Sequence, residues 1–545
     1  MAHPFNQNRV SGIEKQHLVV DTHLSVEAFT LYVALPPIHV QDEKLHITIL
    51  GDNLTINYEF QLENFHSQSR IITLPAHVDR DKLSTEFENR TLRLVLPINE
   101  KREQEQDSVI FLTFPEEAGK AKKELDLSRN EVEEPLVFLP NPFVASARPT
   151  ALIDALFSES ACKEVREFHA TIPGFETSPL VSLPNLARML GIRSLWVKDE
   201  SKRLQLNAFK VLGGSYAIAK TIQSLVGDKS GLLRFEDLTA ERTSQRISEI
   251  TFAAATDGNH GKGVAWAAAQ LGYRSVIYVH KLTSQARIQA IEKNGAEVVV
   301  VNGTYDDAVR QVNEDAQRNG WMVISDTAWE GYEDIPRWVM QGYTTMFSEA
   351  QSQFAEQGIE KPSHILVQAG VGALAAATIG FYAAHFGPQR PRTMVVEPNK
   401  AACLFHSIEI GDGQPHSFGG ELDTIMAGLA CGDPNPLAWP ILKDCTDYFL
   451  QCPDYVAAKG MRVYGLPLKN DPCIISGESG AVTLGALMFL MQWGQTESLR
   501  KELQIGLQSD VLLINSEGNT DPDHFRNVVW DGGESVPAIY KNYWP

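Results

Sequence analysis

The stretch Asn207-Ala-Phe-Lys210-Val-Leu-Gly-Gly214 sets one lysine between apolar neighbours and in front of a glycine pair. An apolar environment disfavours the ammonium form of a lysine, so its neutral amine becomes available to form a Schiff base with an aldehyde cofactor. Since a lone lysine is nearly always a solvated charge, this motif by itself indicates a reactive amine only weakly. The stretches that follow along the chain give it a context.

A short apolar strand, a polar glycine turn and the start of a helix are predicted in Thr251-Phe-Ala-Ala-Ala-Thr-Asp257-Gly-Asn-His-Gly261, with the helix beginning near Lys262. The free backbone N–H groups of such a turn suit a substrate carboxylate. The alternative is an ordinary strand-to-helix connection that needs glycine for tightness. Asp257 favours the functional interpretation, because an acid weakens an anion site unless it serves the chemistry.

A second strand, glycine turn and helix are predicted in Ile365-Leu-Val-Gln-Ala-Gly-Val-Gly-Ala-Leu374. Its two glycines let backbone amides approach a phosphate closely, although the GxG pattern alone is weak. Residues 365–384 carry no charge and imitate a membrane span. Because this run is rich in alanine and glycine, we interpret it as strand, turn and buried helix and expect no membrane partner.

The stretch Val511-Leu-Leu-Ile-Asn-Ser516 ends an apolar strand on a hydroxyl, which could be a simple cap. Strands and amphipathic helices alternate in this part of the chain, as in Ser275–His280, a helix, and Glu297–Val301. That alternation predicts an α/β fold with a mainly parallel sheet.

The start of the chain follows a period of two: Leu45, Ile47 and Ile49 alternate with polar residues. The pattern predicts an antiparallel β-sandwich over residues 1–114. Residues 115–135 are charged and short of large apolar side chains, which is typical of a solvated linker. The predicted α/β part covers residues 136–545.

Composition limits the classes of partner. The formal charge is -20 and no long Lys/Arg run is present, which argues against nucleic acid. The six cysteines show no metal-ligand spacing, so we predict no metal and mostly buried thiols; Cys403 and Cys431 flank one loop-rich stretch and could pair. The first residues lack a secretory signal, so we expect a cytoplasmic protein.

Together, in this order, the motifs around residues 210, 257, 370 and 516 resemble the fold type II pyridoxal-phosphate (PLP) enzymes, the group of threonine dehydratase and cysteine synthase. The closer resemblance is to the diaminopropionate ammonia-lyase family. It rests on six stretches: NAFKVLGG, ATDGNHGKGVAWAA, SDTAWEGYEDIPRWVMQGY, QAGVGALA, TIMAGLACGDPNPL and IISGESGAV. The resemblance implies a tryptophan synthase β-like lyase domain over 136–545, with a smaller α/β subdomain at about 222–345 inserted in a larger one. It also implies a homodimer.

The resemblance also implies the roles of single residues. Lys210 would hold PLP, Asn259 would hydrogen-bond its ring hydroxyl, and Ser516 would face the pyridine nitrogen. Asp257 and Asp326 would be the acidic catalytic pair. The implied phosphate site is Gly370, Val371, Gly372, Ala373 and Leu374, and the implied substrate site is Thr256, Asp257, Gly258, His260 and Asp326.

The implied reaction is α,β-elimination of 2,3-diaminopropionate, a small amino acid, to pyruvate and ammonia. Lys210 would take the α-proton of the L-substrate and Asp257 that of the D-substrate, from opposite faces. One alternative is a related serine or threonine dehydratase or a sulfhydrylase, which Asp257 disfavours. The other is a non-catalytic scaffold, which the intact Lys210 and Asn259 disfavour.

The first domain resembles the α-crystallin domain of small heat-shock proteins. The matching stretches are Tyr32-Val-Ala-Leu-Pro-Pro-Ile38, Asp52-Asn-Leu-Thr-Ile56, Arg70-Ile-Ile-Thr-Leu-Pro75 and Phe87-Glu-Asn-Arg-Thr-Leu-Arg-Leu-Val-Leu-Pro97. The alternative is a sandwich that only aids solubility or assembly, because a fold does not imply a function.

Overall fold

The structure is a computed structural model of the 545-residue chain. It describes residues 19–24, 28–34, 41–50, 53–62, 64–74, 84–88, 91–97, 108–113, 133–144, 151–227, 234–240, 247, 249–256, 258–281, 283–303, 305–420 and 422–543. Contacts divide the chain into two compact units. One is Met1–Glu133 with Pro537–Asn542, and the other is Glu134–Val536 with Tyr543–Pro545.

The first unit contains two four-stranded antiparallel sheets. The first sheet has the order β1-β2-β7-β6, and the second has the order β5-β4-β3-β8. The strands are β1 Val19–Leu24, β2 Ala28–Ala34, β3 Gln41–Leu50, β4 Asn53–Leu62, β5 Asn64–Thr73, β6 Ser84–Glu88, β7 Thr91–Pro97 and β8 Ser108–Thr113.

Alternation along β7 shows why this unit forms sheets. Leu92, Leu94 and Leu96 are buried, whereas Arg93 and Val95 between them are partly exposed. Side chains on a strand point alternately to its two faces, so the period of two gives β7 one apolar face. The expected all-β architecture is confirmed. Most of the predicted linker over 115–135, namely residues 115–132, lies outside the described residues.

The second unit is built on a seven-stranded sheet of order β10-β11-β19-β16-β17-β18-β9. Its five inner strands are parallel, and the two edge strands β10 and β9 are antiparallel to their neighbours. The strands are β9 Val137–Pro140, β10 Leu180–Ser182, β11 Ser194–Asp199, β16 His364–Gln368, β17 Arg392–Pro398, β18 Tyr448–Cys452 and β19 Asp510–Asn515.

A smaller parallel sheet of order β14-β13-β12-β15 accompanies it. Its strands are β12 Thr251–Ala255, β13 Arg274–His280, β14 Glu297–Val301 and β15 Met322–Val323. The mainly parallel α/β fold with two sheets is therefore confirmed.

Helices connect the strands of both sheets. They are α1 Ala151–Phe157, α2 Glu159–Ala170, α3 Pro184–Leu190, α4 Lys210–Val226, α5 Asn259–Gln270, α6 Gln285–Glu292, α7 Tyr305–Asn319, α8 Asp334–Gly342, α9 Thr344–Glu356, α10 Ala373–Phe386, α11 Cys403–Ile410, α12 Trp439–Cys445, α13 Asp454–Gly465, α14 Glu478–Gln492, α15 Glu497–Leu503 and α16 Pro522–Val529.

The uncharged run 365–384 consists of most of β16, a glycine turn and most of α10, as expected, and these residues are buried almost throughout. Among the described residues, none of the helices has the length and apolar character needed to cross a membrane.

Candidate active site

Lys210 opens α4, and its amine lies against a carboxylate. Lys210 Nζ is 2.5 Å from Asp326 Oδ2, with side chains that are 20% and 11% exposed. The sequence predicted apolar surroundings that favour a neutral amine, but the paired carboxylate favours the ammonium form instead. Burial would raise the pKa of Asp326, but Lys210 and His260 together lower it to about 2.

The backbone before Lys210 takes an unusual path. Leu204, Gln205 and Asn207 have positive φ angles of 47°, 59° and 56°, which non-glycine residues rarely adopt. The end of β19 holds this loop: Phe209 N–H donates to Ser516 O over 3.1 Å, and Asn207 O accepts from the backbone N–H of residue 518 over 2.9 Å. The loop is therefore fixed by a segment about 300 positions away.

A buried ionic cluster holds Arg203, which directly precedes the same loop. Arg203 Nη2 lies 2.8 Å from Glu200 Oε1 and 2.6 Å from Glu349 Oε2, and Lys198 Nζ lies 2.8 Å from Glu349 Oε2. These side chains are at most 5% exposed. Removing one partner would leave an uncompensated buried charge, so the cluster holds Arg203 in place. Nothing in the sequence indicated this cluster.

Three glycines, one each on α4, α8 and α5, let α8 and α5 approach α4 closely. A Cβ on Gly213 would lie 2.6 Å from Tyr343 Cε1, and one on Gly342 of α8 would lie 2.5 Å from Leu212 O. On the α5 side, a Cβ on Gly263 would lie 2.9 Å from Val211 Cα. These three glycines set how deeply α4, and Lys210 with it, is packed.

The turn between β12 and α5 is held from within. Thr256 Oγ1 accepts hydrogen bonds from Gly258 N (2.9 Å) and Gly261 N (3.2 Å). His260 Nε2 lies 2.8 Å from Ile324 O, so it donates its proton to that carbonyl. The expectation of free N–H groups in this turn is corrected at Gly258 and Gly261, because the threonine hydroxyl satisfies both. The helix begins at Asn259 rather than near Lys262. Asp257 lies outside the described residues.

Asn259 is oriented by a residue that the sequence interpretation did not single out. Its Nδ2 donates to Glu517 Oε2 over 2.5 Å. Glu517 directly follows Ser516 and is 3% exposed. A buried carboxylate beside a predicted PLP contact is visible only once the chain is folded, since the two residues are 258 positions apart.

The glycine turn after β16 forms a tight cradle. A Cβ on Gly370 would lie 3.2 Å from Cys431 Sγ and 3.2 Å from Leu429 Cα. Gly372 has φ +100°, and a Cβ there would lie 2.9 Å from Leu442 Cδ1. Val371 O accepts from Asn435 N over 2.8 Å. The turn leads into α10, whose first N–H groups have no intrahelical acceptors and suit an anion.

Ala373 and Leu374, the last residues predicted for the phosphate, form the first turn of α10. Ser516 lies at the end of β19 and is 4% exposed. Gln368 Nε2 donates to Ser516 Oγ over 2.7 Å, which leaves the hydroxyl proton available for another acceptor. Gln368 is the first residue of the QAGVGALA stretch, but the sequence predicted no role for it.

Cys403 and Cys431 both lie near Gly370. Cys403 Sγ donates to Gly370 O over 3.6 Å. The sequence left open whether these two cysteines pair. In the structure both are thiols, and no disulfide joins them.

The site lies at the carboxyl ends of β12, β16 and β19, where ligands bind in open α/β sheets. Its residues fit PLP. Lys210 supplies the amine, the Gly370 turn leaves a cradle that a Cβ would fill, α10 offers a helix N-terminus to a phosphate, and Ser516 offers a hydroxyl. Residues 172–516 match the family described as pyridoxal-phosphate dependent enzyme. Fold and site thus define a PLP-dependent enzyme of fold type II.

Comparison with related proteins places the chain in one family within this class. The chain is 50% identical over 382 residues to diaminopropionate ammonia-lyase of Escherichia coli (strain K12), which covers 70% of this chain and 94% of the relative. It is 44% identical over 379 residues to the Salmonella typhimurium (strain LT2) enzyme of the same name, covering 69% and 94%. The crystal structure of the E. coli enzyme in complex with D-serine superposes with a TM-score of 0.69 at 46% identity, covering 74% of this chain and 98% of that one. The chain belongs to the diaminopropionate ammonia-lyase family.

Proposed function

We propose that this chain eliminates ammonia from 2,3-diaminopropionate, with PLP as its cofactor. Water then completes the conversion to pyruvate, and both nitrogens leave as ammonia. The observation that carries the proposal is the 2.5 Å approach of Asp326 Oδ2 to Lys210 Nζ. A fixed carboxylate at the reacting amine suits a substrate that brings a second, cationic amino group.

PLP, when bound, supplies an electron-withdrawing ring that makes the substrate α-proton acidic. Lys210 then serves as the base for the L-substrate, and Asp326 stabilises the ammonium that Lys210 becomes. Asp326 also attracts the β-ammonium of the substrate, and a protonated β-amine can depart as neutral ammonia. Asp257 is proposed as the base on the opposite face, for the D-substrate.

The remaining roles follow the predicted assignments. Asn259 binds the ring hydroxyl, residues 370–374 bind the phosphate, and Ser516 faces the pyridine nitrogen. The neutral hydroxyl of Ser516, which receives a hydrogen bond from Gln368, donates to that nitrogen without protonating it. Thr256, Gly258 and His260 shape the turn on which the substrate carboxylate rests.

The decisive experiment offers purified protein each enantiomer of 2,3-diaminopropionate, serine and threonine in separate reactions. The 2-oxo acid and ammonia are measured. We expect much faster turnover of diaminopropionate than of serine or threonine. A preference for serine or threonine would favour a dehydratase, and no turnover of any substrate by PLP-loaded protein would favour a scaffold.

Attachment of PLP is tested separately. Borohydride reduction followed by peptide mapping is expected to place the cofactor on Lys210, and Lys210→Ala is expected to abolish turnover. Label on any other lysine would show that the assignment of the NAFKVLGG motif is wrong.

For the rest of the molecule we propose an α-crystallin-like sandwich over 1–114, a linker over 115–135 and a lyase domain over 136–545 with a smaller subdomain at about 222–345. The two antiparallel sheets of the first unit support the sandwich. A test is whether residues 1–114 suppress aggregation of a heated client protein. Failure would leave the role of aiding solubility or assembly. A cytoplasmic homodimer is also proposed, to be tested by cell fractionation and analytical ultracentrifugation.

A further inference from the structure

Glu517 contacts three segments of the chain that are far apart in sequence. Its Oε2 accepts from Asn259 Nδ2 over 2.5 Å, and its Oε1 accepts from Ser479 N at the start of α14 over 3.1 Å. Its backbone forms a bridge with Ala208, two residues before Lys210. Both carboxylate oxygens therefore have directed partners although the residue is 3% exposed.

The chemistry of a carboxylate decides how the Asn259 amide must point. An ionised carboxylate only accepts hydrogen bonds, whereas an amide has a donating and an accepting end. Glu517 therefore selects the orientation in which Asn259 Nδ2 faces it. One Nδ2 proton is used by Glu517, and the second remains to be donated elsewhere.

A second buried carboxylate, Glu478, and the amine of Lys262 interact electrostatically with Glu517. Glu478, with a side chain 4% exposed, lies 3.2 Å from His524 Nε2. Burial, with the adjacent Glu517, raises the pKa of Glu478, while Arg287 lowers it and Asp521 raises it. Lys262 faces Glu517; burial lowers the pKa of Lys262 to about 8, although Glu517 opposes that shift. Two close carboxylates disfavour each other's ionisation, and this repulsion contributes to the raised pKa of Glu478.

We propose that Glu517 is a positioning residue, which fixes the amide of Asn259 so that an Nδ2 proton is presented to the ring hydroxyl of PLP. The inference rests on the proposed function, because it assumes that Asn259 contacts that hydroxyl. It assigns Glu517 no contact with substrate or cofactor. Its effect on the cofactor must therefore pass through Asn259.

The test is a double-mutant cycle with Glu517→Gln, Asn259→Ala and the two combined. Gln keeps the shape of the side chain but turns one of its two accepting atoms into a donor. The readouts are the dissociation constant of PLP, from titration of apo-protein, and the pH dependence of the bound cofactor's absorption. We expect Glu517→Gln to weaken PLP binding roughly tenfold, as for loss of a hydrogen bond to a charged group. The double variant should stay within roughly twofold of Asn259→Ala alone.

Asp471→Asn is the matched control. Asp471 is 8% exposed and, like Glu517, accepts from backbone N–H groups at a helix start, those of Asn185 (2.9 Å) and Leu186 (2.8 Å). The Asp471→Asn substitution should lower the melting temperature of the protein without changing the absorption of bound PLP. If Glu517→Gln does not fold, Glu517→Asp keeps the charge but retracts the oxygens by one methylene, and should shift binding in the same direction.

The positioning role would be overturned if the losses in PLP affinity of the two single variants simply added in the double variant. It would also be overturned if PLP affinity and absorption were unchanged in Glu517→Gln or Glu517→Asp. Both readouts use PLP without any substrate. A protein that shows these PLP effects but does not turn over diaminopropionate would refute the proposed substrate and keep the inference.

Discussion

Asp326 carries a charge where burial alone would remove it. The pair with Lys210 keeps the pKa of Asp326 at about 2, below its usual range. Because the folded pKa is depressed, the contribution of this carboxylate to stability is fully present above the unfolded pKa and is lost only as the pH falls through about 2. Asp326 is therefore an anion throughout any ordinary working range, ready to bind a cationic amine.

The two acids are predicted to differ in their enantiomer dependence. Asp257→Asn should reduce kcat/KM for D-diaminopropionate by roughly 10²-fold or more, as for loss of a general base, and spare the L-enantiomer. Asp326→Asn should reduce kcat/KM for both enantiomers, because Asp326 is proposed to bind the β-ammonium group that both enantiomers carry. Steady-state kinetics with each enantiomer measures this.

The control for these variants is Asp523→Asn, whose side chain is 93% exposed. It should leave both rates unchanged. Equal losses for the two enantiomers in Asp257→Asn would contradict the two-base scheme and leave both acids as ammonium-binding groups.

At the scale of single residues, the sequence predicts the motif residues but not the side chains that they contact in the fold. Lys210 and Ser516 stand in short local patterns, so both residues, and the position of Ser516 at the end of a strand, could be predicted. Glu517, Gln368 and Asn435 could not, because their contacts join residues more than a hundred positions apart. The surroundings of Lys210 were misjudged for the same reason: its sequence neighbours are apolar, but its neighbour in space is a carboxylate.

At the scale of elements, α4 is the helix on which the site depends, and its glycines set its depth. Gly213→Ala places a methyl group 2.6 Å from Tyr343 Cε1 and 2.8 Å from Val339 Cγ1. Overpacking of this kind costs about 1–3 kcal/mol, against a helix-propensity gain of about 0.5–1 kcal/mol. We expect a lower free energy of unfolding, measured by denaturant titration. Gly494→Ala, which meets nothing within 4 Å, should stay within about 0.5 kcal/mol of the parent.

A buried histidine couples α2 to α4. His169 Nε2 donates to Leu212 O (3.0 Å), and Nδ1 accepts from Thr345 Oγ1 (2.7 Å). Burial, with Arg203, lowers the pKa of His169 to about 3. The unfolded chain binds this proton below about pH 6.5, whereas the folded protein does not until about pH 3. Stability should therefore fall as the pH drops across this window, by at most about 1.4 kcal/mol per pH unit for one proton.

His169→Gln isolates this contribution. The variant should be less stable at pH 7, since it disturbs a buried hydrogen-bonded site, but its stability should fall less steeply between pH 6.5 and 4. Melting temperatures across that range provide the measurement. Parallel pH profiles for parent and variant would show that other groups dominate the acid sensitivity.

Elements with a strong local signal were the easiest to predict. Strand β14 spans the predicted Glu297–Val301, and the run 365–384 divides into strand, turn and helix as expected. In contrast, the start of α5 was placed three residues late. The Thr256 hydroxyl organises that turn through the N–H groups of Gly258 and Gly261, and nothing in the local pattern of apolar residues reveals such a bond.

At the scale of the whole molecule, residues 136–545 are predicted to act without the first domain. The E. coli relative is matched over 94% of its length by 382 residues of this chain, so a catalytic unit of that size occurs without the remainder. The truncated protein should keep the kcat and PLP content of the full chain. Parallel assays of the two forms test it. A large fall in kcat at unchanged PLP content would show that the first domain shapes the active site.

The position of β19 also bears on how the protein is made. Its residues, Asp510–Asn515, follow β11 and β16 along the chain, yet β19 lies between these two strands in the seven-stranded sheet. A chain still on the ribosome has already exposed both neighbouring strands before the strand that separates them has been synthesised. Long-range pairing of this kind slows folding, because the loop must close before its contacts form. Lys210 thus leaves the ribosome long before the loop that presents it can be completed, because the residues that hold this loop, Ser516 and Gly518, are translated about 300 positions later.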